Sequence, residues 1–391
     1  MKEPLSRRSF FISAASAASA ARVFGANDRV RLGIIGAYNR GRYLMKEANK
    51  CPNIDWVAVC DAWDERKDAA AELTGKTVAK YGEYRPLLDR KDIDGVIVAT
   101  WDNTHAKITI DACHAGKDVY VEKPMTSRPE QGPKMVRAVR ETNRVVQVGV
   151  QRRSSTLYRE AKRQALDSGK LGPVHLVRTR WNNNPGYRYK PPANMQEKPA
   201  GLDWNACLGD LPKIPWDPWR YFNHFSYIEL CSGMTGGLFV HFVDVAIWYL
   251  GLTKPTRVVS LGGIYEYKDG RDAPDNVSLI AEYPQNVIVT FEASITDKVL
   301  PEDLKLTFVG EGGRLEMYNP ARFIPAGQKD APAITAAQGE SHMQNWINCI
   351  RSRKEPNARV EDGHWGAVVC HMANIAWMEK RAVTWNSEWD I

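Results

Sequence analysis

Residues 30–42 read Val-Arg-Leu-Gly-Ile-Ile-Gly-Ala-Tyr-Asn-Arg-Gly-Arg, an apolar run that breaks into a glycine-bearing turn and continues as a helix-like sequence. Gly36 permits the tight turn, and Gly41 permits the helix to pack closely on the strand. The free N–H groups at the start of that helix suit a pyrophosphate. This order of strand, turn and helix predicts the opening unit of a dinucleotide-binding fold.

The glycine fingerprint is imperfect, because Tyr38 occupies the position of the middle glycine. We expect Tyr38, Asn39 and Arg40 to lie along the pyrophosphate. The next strand-like run ends in Asp61, at about the 20-residue distance where an acidic residue binds the ribose hydroxyls. A carboxylate repels a 2′-phosphate, so NAD is favoured over NADP, and Arg66 is the nearby residue that would soften this preference. The simpler alternative is an ordinary βαβ unit whose glycines serve only the turn.

Alternating strand and helix patterns continue to about residue 150. Residues 94–100 form a continuous apolar run of the kind that is buried on both faces of a parallel sheet. The strand pattern at residues 118–121 leads directly into Glu122-Lys123-Pro124. Because ligands bind beyond the carboxyl ends of the strands in such a sheet, Lys123 is placed where chemistry would occur.

Motifs at these strand ends resemble those of the Gfo/Idh/MocA oxidoreductases, a family that includes sugar and inositol dehydrogenases. Glu-Lys-Pro is the most specific of them, and in the family the lysine contacts both nicotinamide and substrate. The resemblance implies an α/β chain with an N-terminal Rossmann dinucleotide-binding domain over residues 27–150. It also implies a C-terminal α+β domain over residues 151–391, built on a large, mostly antiparallel sheet. The residues that it places at the cofactor are Thr100, His105, Glu122, Lys123 and Gln151.

The same resemblance implies a role for the second domain. Its sheet would cover the nicotinamide and contribute to homo-oligomer contacts, and the last helices would return to pack on the Rossmann domain. Strand patterns at residues 257–267, 276–283, 287–293 and 304–310 fit such a sheet.

A second candidate catalytic group lies in Gly236-Gly-Leu-Phe-Val-His-Phe-Val-Asp244. His241 and Asp244 are three residues apart, so on a helix they would share a face and the carboxylate would orient or charge the imidazole. The resemblance makes His241 the acid/base for the reacting hydroxyl. Gly237 departs from the family pattern, since many members carry an aspartate there that completes a Lys-Asp-His triad. A histidine among aromatic residues also has an ordinary structural explanation.

Residues 181–225 form a long aromatic and proline-rich stretch without regular periodicity, which is typical of a lid or a site wall. Its rings would stack on the apolar faces of a pyranose, and its polar groups would bind sugar hydroxyls. The alternative is that the aromatic residues only pin the loop to the sheet. The candidate substrate residues are Tyr187, Arg188, Tyr189, Arg220 and Asn223.

The first 26 residues do not belong to this fold. Ser6-Arg-Arg-Ser-Phe-Phe11 precedes an alanine- and serine-rich run, which is the pattern of a twin-arginine export signal. The apolar run is too short to span a bilayer. We therefore predict a periplasmic or otherwise extracytoplasmic protein that is exported folded, with its cofactor already bound. The alternative is a basic, flexible N-terminus on a cytoplasmic protein.

Composition excludes several classes of partner and site. Without the signal, about 365 residues remain, which suggests two domains. The net charge of +7 is not gathered into a basic run with interleaved aromatics, so no nucleic acid is expected. Seven cysteines without a C-x-x-C pattern predict free thiols, and eight histidines without a metal-ligand spacing predict no metal site.

The sequence therefore predicts an enzyme that acts on a sugar or sugar derivative with tightly bound NAD, NADP being the less favoured cofactor. Lys123 would polarise the carbonyl or hydroxyl, and His241 would move the proton with Asp244 in support, while a hydride is exchanged with the nicotinamide. Two alternatives stay open: an NAD-dependent glycoside hydrolase or lyase that uses transient oxidation, and a sugar-binding relative that has lost turnover. The expected partners are a small carbohydrate, the export machinery and a second copy of the chain.

Overall fold

The computed structural model describes residues 29–182, 190–296, 303–318 and 320–391. The predicted export signal lies outside these residues. Within the described ranges, no helix combines the length and the apolar character that a membrane span requires.

The N-terminal part is built on six parallel strands in the order β3-β2-β1-β4-β5-β6. The chain steps from β1 to one side and then returns to start the other side, so β1 and β4 flank the point where strand order reverses. Ligands bind at that point in an open parallel sheet. The strands are β1 Val30–Ile35, β2 Ile54–Cys60, β3 Ala79–Tyr81, β4 Gly95–Val98, β5 Asp118–Val121 and β6 Val146–Val148; the helices are α1 Asn39–Asn49, α2 Asp64–Glu72, α3 Arg85–Leu88, α4 Asp102–His114 and α5 Gln131–Thr142.

The second part is an eight-stranded sheet in the order β13-β12-β11-β7-β10-β9-β8-β14, antiparallel except where β7 pairs with β10. Burial alternates along β9 and β10, so one face is covered by helices and the other faces outward. The strands are β7 Val174–Asn182, β8 Arg257–Gly263, β9 Asn276–Tyr283, β10 Val287–Ser294, β11 Asp303–Gly310, β12 Gly313–Glu316, β13 Arg322–Pro325 and β14 Val383–Thr384; the helices are α6 Thr156–Lys162, α7 Trp204–Leu208, α8 Pro218–Phe222, α9 Val240–Leu250, α10 His342–Ser352 and α11 Val360–Glu379.

The last two long helices join the two sheets. Trp346 of α10 is fully buried and meets the Tyr120 ring of β5 edge-on, with ring centroids 5.9 Å apart. In α11, Gly363 lies so close to β6 that an added Cβ would come within 2.6 Å of Val148. Further along α11, Val368 belongs to the core under the eight-stranded sheet. These contacts hold the carboxyl edge of the first sheet against the second domain.

Element existence was easier to predict than element ends. The predicted strand at residues 118–121 is observed as β5, whereas the strand pattern at residues 257–267 is observed as the shorter β8, Arg257–Gly263. The stretch at 181–225, predicted as irregular, contains the short helices α7 and α8. These helices are one turn long, so their periodicity was too short to recognise.

Candidate functional site

The loop between β1 and α1 is shaped by glycines that leave no room for a side chain. Gly36 has φ +88°, and an added Cβ would lie 2.6 Å from the backbone of Ala99. An added Cβ at Gly41 would lie 2.0 Å from the Gly36 carbonyl oxygen. The backbone therefore forms a tight cradle at the start of an 11-residue helix, which fits a dinucleotide pyrophosphate.

Tyr38 takes the place of a glycine without filling this cradle. Its backbone is extended, and its side chain is 40% exposed. The guanidinium carbon of Arg66 lies 3.7 Å from the centroid of the Tyr38 ring, so the ring is held outward by a cation–π contact. Asn39 begins α1, and its side-chain oxygen accepts a hydrogen bond from Arg42 Nη2 at 3.1 Å.

Asp61, which was predicted to bind the ribose hydroxyls, is hydrogen-bonded to the backbone of the glycine loop and of the Trp63 turn. Its Oδ2 accepts a hydrogen bond from the Ala37 N–H at 2.7 Å, and its Oδ1 accepts one from the Trp63 N–H at 2.9 Å. Burial raises the pKa of Asp61, and the nearby Arg66 opposes that shift. The carboxylate thus fixes the glycine loop while it keeps a negative charge at the end of β2.

His105, predicted at the cofactor, is instead an internal brace. The ring is buried; Nδ1 lies 2.8 Å from the Pro124 carbonyl oxygen, and Nε2 lies 3.0 Å from the Thr100 carbonyl oxygen. The Thr100 hydroxyl accepts a hydrogen bond from Thr104 Oγ1 at 2.7 Å. His105 therefore joins the ends of β4 and β5, because both of its nitrogens already have backbone partners.

Glu122 and Arg40, both predicted at the cofactor, pair with each other. Arg40 Nε donates to Glu122 Oε1 at 2.7 Å, and Glu122 is buried. The second carboxylate oxygen accepts the backbone N–H of Lys123 at 3.1 Å. The prediction of a direct cofactor contact is therefore corrected for Glu122: its carboxylate orients the Lys123 backbone and ties α1 to the end of β5.

Lys123 reaches across to the second domain. Its Nζ donates a hydrogen bond to the Gly237 carbonyl oxygen at 2.9 Å. Gly237 lies in the π-helical turn Thr235–Phe239, which runs directly into α9, and His241 follows one helical turn later. Gly237 and His241 thus share a face of this helix. The structure brings together the lysine and the histidine that the sequence singled out.

The His241 ring is neutral at neutral pH. Burial lowers its pKa well below 6.5, and the nearby cations Lys123, Arg152 and Arg40 lower it further. Its ring packs against the Trp181 ring, with centroids 5.6 Å apart. A neutral imidazole has a lone pair that can accept a proton from a substrate hydroxyl.

Asp244 does not support His241, so this prediction was wrong. Its Oδ1 accepts a hydrogen bond from Arg153 Nε at 2.8 Å, and Arg153 also pairs with Asp362 at 3.3 Å. Burial raises the pKa of Asp244 to about 6, with Arg153 opposing the shift. Among the described residues, no hydrogen bond joins Asp244 to His241. Asp244 faces the Arg153 turn and α11, where an added Cβ at Gly366 would lie 3.9 Å from its Cβ.

Arg152 is a site residue to which sequence reasoning assigned no role. Its Nε donates to the Tyr158 hydroxyl at 3.1 Å, and its Nη2 donates to the Tyr318 hydroxyl at 2.8 Å. The guanidinium carbon lies 5.7 Å from the centroid of the Trp181 ring. The Gln-Arg-Arg motif was the available signal. Gln151 itself is exposed at the start of the 3₁₀ turn Gln151–Ser154.

The predicted sugar-binding residues do not gather at this site. Tyr187, Arg188 and Tyr189 lie outside the described residues. Arg220 pairs with Glu229, and its guanidinium carbon lies 4.3 Å from the centroid of the Tyr227 ring. Asn223 is fully buried, and its amide donates to the Trp219 carbonyl oxygen at 3.2 Å. Arg220 and Asn223 are therefore corrected to structural residues, since their polar groups brace the aromatic segment.

This aromatic segment, residues 199–231, docks on the nucleotide edge of the first sheet. Leu202 forms an isolated antiparallel bridge with Trp63, and Asp203 N–H donates to the Ala62 carbonyl oxygen at 2.8 Å. The rings of Trp101 and His224 stack with centroids 4.8 Å apart. The segment thus forms a wall beside the ends of β2 and β4.

The described ranges contain no group of three His, Cys, Asp or Glu side chains placed to hold a metal ion. The seven cysteines are all unpaired, and most of them are buried in the cores.

Comparison with known proteins identifies the family. Residues 30–150 match the oxidoreductase family with an NAD-binding Rossmann fold, and residues 213–316 match the GFO/IDH/MocA C-terminal domain. Inositol 2-dehydrogenase 3 of Saccharopolyspora erythraea is 32% identical over 361 residues, which cover 87% of this chain and 91% of that protein. The chain belongs to the GFO/IDH/MocA oxidoreductase family. Its N-terminal part is the NAD-binding Rossmann domain of that family.

Other GFO/IDH/MocA members share the whole architecture. Inositol 2-dehydrogenase 2 of the same organism is 25% identical over 353 residues, with 87% of this chain and 91% of that protein covered. Among solved structures, the WlbA dehydrogenase from Bordetella pertussis with NADH and UDP-GlcNAcA superposes with a TM-score of 0.70 at 18% identity, covering 92% of this chain and 99% of that one. Scyllo-inositol dehydrogenase from Lactobacillus casei with NAD(H) and scyllo-inositol gives a TM-score of 0.68 at 18% identity, covering 91% and 99%.

Proposed function

We propose that this protein is an NAD-dependent oxidoreductase that acts on a hydroxyl of a sugar or polyol. The observation that carries the proposal is the contact between Lys123 Nζ and the Gly237 carbonyl oxygen, which places the ammonium on the helix face that carries the neutral His241. Lys123 follows β5, so it lies at the carboxyl edge of an NAD-binding sheet. The inositol dehydrogenase relatives support a polyol as substrate.

Each protein group then has a defined task. Lys123 has three ammonium hydrogens; one is used on Gly237, and another donates to the reacting oxygen. His241 accepts the hydroxyl proton during oxidation and returns it during reduction. Bound NAD supplies the hydride acceptor when it is seated in the loop between β1 and α1. Trp181 offers a ring face beside His241 for an apolar face of the sugar.

The cofactor is proposed to stay bound between turnovers. Support comes from the aromatic segment at residues 199–231, which packs on the first domain. The Asn103 amide of α4 donates to the Leu208 carbonyl oxygen of this segment at 2.9 Å. A cofactor that does not exchange cannot discharge its reducing equivalents to a soluble pool. The hydride is then returned to the same substrate or to a second sugar. Return to the same substrate is also the cycle of an NAD-dependent glycosidase, so that alternative stays open.

Purified protein should therefore turn over sugars without net change in nicotinamide absorbance and without added NAD. Protein denatured after purification from its native host should release NAD(H) and not NADP(H), because the Asp61 carboxylate repels a 2′-phosphate. Free polyols and aryl glycosides are incubated in parallel, and leaving-group release is measured alongside absorbance. Steady accumulation of NADH with added NAD would instead identify a plain dehydrogenase, and leaving-group release would identify the glycosidase.

The proposed location is the periplasm, supported by the Arg7-Arg8 pattern of the N-terminal sequence. The double substitution of Arg7 and Arg8 by lysine should leave folded, cofactor-bearing protein in the cytoplasm, because the signal is read by a receptor and adds nothing to the fold. Cell fractionation with a nicotinamide assay measures this. Normal export of the double variant would contradict the twin-arginine assignment.

A second copy of the chain is the proposed partner of the outward face of the eight-stranded sheet. That face carries apolar side chains, among which Leu261 is 80% exposed and Ile280 and Ile288 are also exposed. These apolar side chains lie among charged ones such as Arg178, Arg180 and Lys305, and exposed apolar groups within a polar surrounding are typical of a protein contact site. Light scattering should give at least a dimer for the wild type and a smaller species for Leu261→Lys; a monomeric wild type would rule the contact out.

A further inference from the structure

Gly236 and Gly237 differ in the space that is available to a side chain. An added Cβ at Gly236 would lie 2.2 Å from the Ser232 Cβ, so close packing requires glycine there. At Gly237, no described atom outside the neighbouring residues and backbone of its own helical turn lies within 4 Å of the Cβ position, and φ is not left-handed. Glycine within a helical turn is less favourable than alanine. Packing therefore does not account for Gly237, and the room at this position is available to a ligand.

This room lies beside an ammonium group that has no ion-pair partner among the described residues. Lys123 Nζ donates to the neutral carbonyl of Gly237, and no carboxylate in the described ranges is within ion-pair distance of it. The buried Asp102 lies within electrostatic range of Lys123. Its carboxylate, however, accepts hydrogen bonds from the Ser232 N–H at 3.0 Å and from Cys231 Sγ at 3.2 Å.

Arg152 adds a second cation that has no carboxylate partner in the described part of the chain. It donates to two neutral phenols, and its Nη1 is enclosed with no partner among the described residues. The next residue, Arg153, is the internal comparison, because it pairs with both Asp244 and Asp362. Trp181 connects Arg152 to the reacting centre, since its ring lies against both Arg152 and His241.

The charges around His241 also indicate an excess of positive charge at the site. The cations that lower its pKa, after burial itself, are Lys123, Arg152 and Arg40. Within the described residues, Arg40 is the one of the three that has a carboxylate partner, Glu122 at 2.7 Å. Lys123 and Arg152 are both half-buried, and positive charge that is partly shielded from water is costly unless an anion balances it. The site therefore favours a ligand that brings a negative charge of its own.

We propose that the room at Gly237 receives the carboxylate of a sugar acid, so that hexuronic or aldonic acids are the substrate class; this rests on the proposed function. Lys123 uses its third hydrogen on one carboxylate oxygen, and Arg152 balances the charge from the far side of Trp181. Because Gly237 has no side chain, the carboxylate and the reacting oxygen reach the same ammonium. The bound anion also raises the basicity of His241 at the moment when it must accept a proton.

The test compares D-glucuronate with D-glucuronamide, which differ in charge and hardly in shape. Calorimetric titration of the NAD-loaded protein should show the acid binding at least about tenfold more tightly, as expected for one charge-assisted hydrogen bond over a neutral one. D-gluconate and D-gluconamide form a second pair. Equal affinity within both pairs would overturn the proposal, and tighter binding of glucose 6-phosphate than of either acid would overturn the assignment to a carboxylate.

Matched variants at position 237 separate charge from size. Gly237→Asp supplies a fixed carboxylate and should abolish the preference for the acid. Gly237→Asn has the same size without the charge and should weaken both ligands while it keeps the preference. Arg152→Met should reduce the preference, and thermal unfolding checks that every variant folds. An unchanged preference in the Gly237→Asp protein would count against the proposal.

The outcome also separates this inference from the proposed function. If a neutral polyol is oxidised while the acids bind no better than their amides, the sugar-acid inference fails and the oxidoreductase assignment stands. If the acids bind preferentially but neither acids nor polyols react, the oxidoreductase assignment fails and the charge recognition stands.

Discussion

Lys123→Ala should lower kcat/KM by about two to four orders of magnitude, the range expected for loss of a positioned proton or hydrogen-bond donor at a reacting oxygen. The alanine removes the ammonium from its place beside Gly237, where it is held by one hydrogen bond of 2.9 Å. Because the partner is a single backbone carbonyl, the free energy of unfolding should change by only about 1 kcal/mol. Steady-state kinetics and denaturant unfolding measure the two effects.

Lys107→Ala is the matched control for this substitution. Lys107 lies on α4 and pairs with Asp111 at 3.4 Å, four residues along the same helix. An exposed pair of this kind contributes little to stability, and the residue has no place in the reaction. We expect unchanged kinetics for Lys107→Ala. Full activity in the Lys123→Ala protein would remove Lys123 from the mechanism.

His241→Ala should lower kcat/KM by about two to four orders of magnitude, because His241 is the proposed acceptor of the hydroxyl proton. In the wild type, burial and the cations around His241 hold its pKa well below 6.5. The neutral, proton-accepting form therefore persists as pH falls through 6.5, and kcat/KM should stay level there and fall only in more acid solution. His114→Ala, at the exposed end of α4, is the control.

The two substitutions are linked through charge. Lys123 is one of the cations that lower the pKa of His241, so its removal should raise that pKa toward 6.5. The residual activity of Lys123→Ala should then fall at a higher pH than that of the wild type. Comparing the two pH profiles of kcat/KM tests this link. Coincident acid limbs would show that the two groups do not interact.

The lowered pKa of His241 also makes the stability of the fold depend on pH. The unfolded chain binds a proton at His241 below pH 6.5, and the folded protein does not until the pH is much lower. The contribution of this residue to stability is therefore complete above pH 6.5 and decreases as the pH falls. Activity and stability then respond differently to mild acid, since the catalytic form persists while the fold loses some support.

Local sequence determined most of the first domain. The glycine turn, the strand that ends in Asp61 and the run from β5 into Lys123 depend on residues that are neighbours in the chain, and the structure places them as the patterns predicted. Such features follow from backbone conformation and from alternating burial, which a short window of sequence records. The Glu-Lys-Pro motif also pointed to the family before any tertiary contact was known.

Tertiary structure alone decided which polar groups meet. Asp244 accepts a hydrogen bond from Arg153, 91 residues away in the sequence, and not from His241 on its own helix. Arg152 donates a hydrogen bond to Tyr318, 166 residues away in the sequence, and Lys123 donates one to Gly237, 114 residues away. A buried charge or N–H without a partner is costly, and its partner is whichever group the packed helices and sheets bring within hydrogen-bond distance. No spacing along the chain encodes that choice, because it depends on how the two domains fold against each other.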